Sequence, residues 1–144
     1  MNLMHISMRG GLLACALAAS GCTVLPIYQP VATDAEVSVV GYGSPRICMD
    51  NTRHNVEVAR AGLSQSFKVP TDKRVTLTSN VMISAGNASH HCSPSLSFIP
   101  ETGKKYVMHT GLAASQQCFV ELVEEDAASV TGVVPVKSLN RPEC

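Results

Sequence analysis

The sequence predicts an all-β fold: a small antiparallel sandwich or partly open barrel of about seven or eight strands, behind a cleaved leader and a short tether. Three observations predict it. Apolar and polar residues alternate in short runs rich in Val and Thr, the pattern of a strand with one buried face. Turn formers separate the runs at Asp50-Asn51, Pro70-Thr71-Asp72, Gly86-Asn87 and Thr102-Gly103. No apolar pattern of helical period lasts the roughly 10–12 residues that a helix needs.

Taken in order, residues 1–21 have the composition of an export leader. One cation, Arg9, precedes an apolar run from Gly11 to Ala19, and small residues then lead to Cys22. Basic region, apolar region and small residues in that order make a secretory signal. The apolar run is far short of the roughly 20 residues of a membrane-spanning helix. Residues 22–34 contain Pro26 and Pro30, show no periodicity and read as a tether. Its twelve residues after Cys22 could reach about 40 Å fully extended. The β domain is expected over 35–144. Alternating runs place strands at Glu36–Val39, Val56–Val58, Phe67–Val69, Val75–Thr78, Leu96–Phe98, Tyr106–Met108 and Val120–Leu122. The last run, Val130–Val136, is interrupted by Gly132 and Pro135, which suits a sheet edge.

Composition excludes some functions. The chain carries 11 basic and 11 acidic residues, and losing Arg9 with the leader leaves 10 against 11. That balance supplies no electrostatic attraction for nucleic acid. Six scattered rings and no Trp make a poor stacking surface for single strands or sugars.

Ala19-Ser20-Gly21-Cys22, with Leu17 just upstream, resembles the lipobox of bacterial lipoproteins, with Ala19 standing where that family usually has Leu. The resemblance implies cleavage before Cys22, a diacylglycerol on its sulfur and a further acyl chain on the new amine. One acyl chain holds a protein only marginally, whereas two or more anchor it stably. Thr23 follows Cys22 in place of the Asp that retains such proteins at the inner membrane. The resemblance therefore implies the outer membrane of a Gram-negative envelope, with the lipid bilayer as a partner through acylated Cys22. The stretch Phe98–Tyr106 reads as strand, tight turn, strand. It is similar to a hairpin of small proteobacterial lipoproteins with prealbumin-like or sandwich folds, which implies a fold type and no activity.

Cys15 leaves with the leader, and Cys22 is the expected lipid site. The remaining Cys48, Cys92, Cys118 and Cys144 make an even set, and an exported domain is expected to oxidise them to two disulfides. Three pairings are possible. Cys92 precedes one strand and Cys118 opens another, so strand order favours Cys92–Cys118 and leaves Cys48–Cys144 to hold the chain terminus.

The one stretch that invites chemistry is Ser89-His90-His91-Cys92. Two imidazoles and a thiolate, with His54 or His109, are ligand types for zinc or copper. Adjacent histidines on a strand point to opposite faces, and a disulfide at Cys92 removes the thiolate, so no metal or cofactor is expected. The stretch also loosely resembles the Ser-His-Gly-Cys motif of L,D-transpeptidases. Here His91 replaces the glycine, and the family's upstream histidine has no counterpart. His90-His91 are expected in a surface loop between turn formers. Glu124-Glu125-Asp126 and Lys104-Lys105 read as solvated turns. The expected function is a non-enzymatic envelope module that binds a protein or cell-wall partner. The alternative is a small periplasmic enzyme or metal-binding protein centred on Ser89–Cys92. An inhibitor of lysozyme or an immunity protein suits the size and compartment, but no residue pattern supports it.

Overall fold

The computed structural model describes residues 24–61, 64–85, 87–139 and 144. The leader and Cys22 lie outside the described residues. Eleven strands and no helix make up the described chain: β1 (Ala35–Gly41), β2 (Ser44–Met49), β3 (Thr52–Asn55), β4 (Ala59–Ala61), β5 (Ser64–Val69), β6 (Val75–Ala85), β7 (Ala88–Cys92), β8 (Ser95–Phe98), β9 (Lys105–Leu112), β10 (Cys118–Glu125) and β11 (Val133–Pro135). They form two sheets that do not close into a barrel. One has the order β11-β10-β9-β1-β5-β4, and the other β3-β2-β6, with β7 and β8 following one another along β6. Every pairing is antiparallel except β1 with β9. That one parallel pair departs from the expected antiparallel fold.

The alternation seen in the sequence builds the core. Val37 stands between Phe67 and Tyr106 in register, and Met108 between Val39 and Leu122. The facing sheet offers Ile47, Leu77 and Leu96 in one row, with Val75 beside Phe98 in the next. These side chains are buried and form one apolar cluster. Phe98 and Tyr106 join the sheets, ring edge to ring face, with centroids 5.1 Å apart. The Tyr106 hydroxyl is satisfied by the Glu101 N–H at 3.0 Å, as a buried phenol requires.

Three expectations are corrected. Val56–Val58 alternates but forms no ladder; the short strand follows it at Ala59–Ala61. His90 and His91 lie on β7, paired with Ile83 and Met82, and not in a loop. Most of the expected tether is docked. Ile27 bridges Asn55 in parallel, with the Tyr28 N–H on the Asn55 carbonyl and the Asn55 N–H on the Pro26 carbonyl, both at 2.9 Å. Tyr28 then donates to Asp34 at 2.7 Å and packs on the core.

The described segments before β1 and after β11 thus act as straps. The N-terminal segment pairs with β3 at one edge of the smaller sheet before entering β1. After β11, Val136 still pairs with Leu122 of β10 in the larger sheet, and Leu139 then donates to the Ser97 carbonyl of β8, at the opposite edge of the smaller sheet, at 2.7 Å. Each strap covers strand-edge polar groups that would otherwise be unpaired.

Candidate functional site

The two expected disulfides are present. Cys92 on β7 is bonded to Cys118 at the start of β10, across the two sheets, with Cα atoms 6.3 Å apart. Cys48 on β2 is bonded to Cys144, with Cα atoms 6.1 Å apart. Both spacings are ordinary for a disulfide. The pairing is the one favoured by strand order.

The bond at Cys92 changes the chemistry of Ser89–Cys92. A thiolate is the nucleophile and the metal ligand, and this sulfur is held in a disulfide. His90 is half-buried and His91 exposed, and with Gln116 and Gln117 they border an open depression beside the Cys92–Cys118 bond. His54 is on β3 against the Tyr28 ring, and His109 is on β9 opposite Glu121. No group of three or more His, Cys, Asp or Glu side chains able to hold a metal occurs among the described residues. Lys104 reaches Glu124 of β10, and that hydrogen bond, followed by the carboxylate's charge, raises the Lys104 pKa. The expected solvated turns are therefore partly a structural ion pair.

Sequence reasoning missed a polar groove on the outer face of the smaller sheet. Because directly opposed residues share a face, Arg46, Thr78 and Ser95 form one outward row, and Arg53, Cys48, Thr76 and Ser97 the next. The Thr76 and Ser97 hydroxyls bond each other at 2.7 Å. Arg53 donates to the Cys144 carbonyl at 2.8 Å. Arg46 makes no ion pair among the described residues. The groove holds about 330 Å³ and is bordered by both arginines, Thr78, Asn80, Ser93 and Ser95. Asn80 accepts from Ser93, while its amide nitrogen is buried without a partner among the described residues. The signal was present in β2, where Arg46 and Cys48 alternate with Ile47, but Pro45 and the short run hid it.

No protein-family model, characterised protein or solved structure matches the chain.

Proposed function

We propose that the protein is a lipid-anchored module of the bacterial envelope that binds a protein or cell-wall partner and performs no catalysis of its own. The observation that carries this reading is the use of the cysteines. All four that follow Cys22 are consumed in two intramolecular bonds, which leaves Cys22 as the one thiol of the processed chain. Disulfides in a small domain belong to an oxidising compartment, in keeping with the export leader. The lipobox-like sequence then places the free thiol where an acyl chain is attached. Thr23 favours the outer membrane.

The enzyme or metal reading of Ser89–Cys92 has less support, since its sulfur is bonded and its histidines alternate along an edge strand. Replacing Cys22 tests the anchor. The parent protein is expected in the membrane fraction at mature size. Cys22→Ser is expected as a soluble protein or an uncleaved precursor. A Cys22→Ser protein of mature size that stays in the membrane fraction overturns the proposal.

A further inference from the structure

We propose that one end of the sandwich lies against the lipid surface, with Val31, Ile99 and Val130 touching the bilayer interface. This rests on the anchor at Cys22 and adds which face of the domain the membrane covers.

The first ground is the length of the leash. Pro26 lies four residues after Cys22, and its carbonyl is already held by β3. Four residues span at most about 14 Å, much less than the 40 Å of a free tether. The radius of gyration of a domain this size is about 13 Å. A leash of that length does not let the domain turn freely away from its anchor.

The second ground is direction. The segment at Ile27 runs parallel to β3, and β3 runs away from the Asp50-Asn51 turn. The chain therefore arrives from the end that carries that turn. Contacts identify the loops gathered there. Lys73 pairs with Asp50 at 3.0 Å, Thr71 donates to the Thr33 carbonyl, and Thr102 donates to Thr71 and Asp72. The β10–β11 turn leaves from the same end, because Glu124 is in register with Tyr106 near the start of β9.

The third ground is what those loops present. Val31 is 60% exposed, Ile99 53% and Val130 fully exposed, each on a different connection. Two lysines at this end, Lys73 and Lys104, are paired with carboxylates, which lowers the charge left to desolvate on approach. The opposite end also exposes Tyr42 and Met82, so exposure alone does not choose between the ends. The leash does, and it turns Tyr42 and Met82 away from the bilayer.

The sequence has no Trp, so a single introduced indole reports its own surroundings. Val130→Trp, Ile99→Trp and, at the other end, Ser115→Trp are made in the full chain. The purified lipidated proteins are placed in phosphatidylcholine vesicles containing chain-brominated lipid, and intact mass and vesicle flotation are recorded alongside. Indoles at 130 and 99 are expected to shift to the blue and lose most of their emission, while the indole at 115 keeps its own. Flotation of acylated protein without quenching at 130 and 99, or with quenching at 115 instead, overturns the orientation and leaves the anchor standing. Protein without acyl mass that does not float overturns both.

Discussion

Removing the bond between the sheets puts a number on the architecture. Cys92–Cys118 closes a loop of sequence separation 26, nested inside the Cys48–Cys144 loop of 96. The chain-entropy model assigns the inner bond about 3.5 kcal/mol and the outer bond, taken alone, about 4.7 kcal/mol. Nesting shortens the effective outer loop and lowers the second figure to about 4.4 kcal/mol. Cys48 is also 3% exposed within the sheet, so its replacement loses packing as well. For a domain of this size, 3.5 kcal/mol lowers the melting temperature by about 14 °C. The assay is a thermal melt of Cys92→Ala/Cys118→Ala and Cys48→Ala/Cys144→Ala against the parent, without reductant, then with it. Both variants are expected to lose stability, the outer pair more. A Cys92→Ala/Cys118→Ala melt within a few degrees of the parent would show that the bond between the sheets adds little stability, and an outer-pair variant more stable than the inner-pair one would overturn the loop-length ranking.

Gly41 has φ +115°, and an added Cβ would overlap the Thr110 carbonyl oxygen; Gly41→Ala is expected to cost at least about 2 kcal/mol, and an unchanged melt would contradict that. Tyr28→Phe removes a hydrogen bond to the buried Asp34 carboxylate and is expected to cost about 1.5–3 kcal/mol. Burial first, then the Asp34 hydrogen bond and its charge, raises the Tyr28 pKa above the usual value. The unfolded chain therefore gives up this proton first as pH rises, so stability is flat in this respect below about pH 10 and falls above it. Tyr28→Phe should fall less steeply there in urea titrations at increasing pH, with Tyr106, also raised by burial, keeping part of the slope. A slope equal to the parent's counts against the assignment. His90→Ala with His91→Ala should change stability by less than about 0.5 kcal/mol, and a chelator should leave the melt of the parent unmoved. A chelator-sensitive melt would restore the metal reading.

The strands that were legible bury one face and expose the other. Val37, Phe67, Leu77, Leu96 and Met108 all sit on alternating runs, and their period alone placed them inside. The elements that were not legible have a different source of order. β3 reads Thr-Arg-His-Asn and has no apolar face; it is held by β2, by Ile27 and by the Arg53 bond to the terminal residue. β7 carries two histidines and is held by its ladder to β6 and by the bond at Cys92. A local window cannot register partners 26 or 96 residues away. Val56-Glu57-Val58 shows the converse: it has the right period, but it borders a groove beside Tyr28 and Pro30 and finds no neighbouring strand. The docked N-terminal segment was hidden for a similar reason, because its two prolines suggest a free tether while two backbone hydrogen bonds, from Tyr28 to Asn55 and from Asn55 to Pro26, hold it. The outward arginines of the groove became visible only once register placed Arg46 and Arg53 on one face.

Processing to an acylated Cys22, as proposed, is read from the N-terminal peptide of the protein purified from membranes. Mass spectrometry of that peptide is predicted to find Cys22 as the first residue, carrying a diacylglycerol on sulfur and an acyl chain on the amine. A first residue other than Cys22, or an unmodified Cys22 thiol on protein recovered from the membrane, would rule out the lipid anchor.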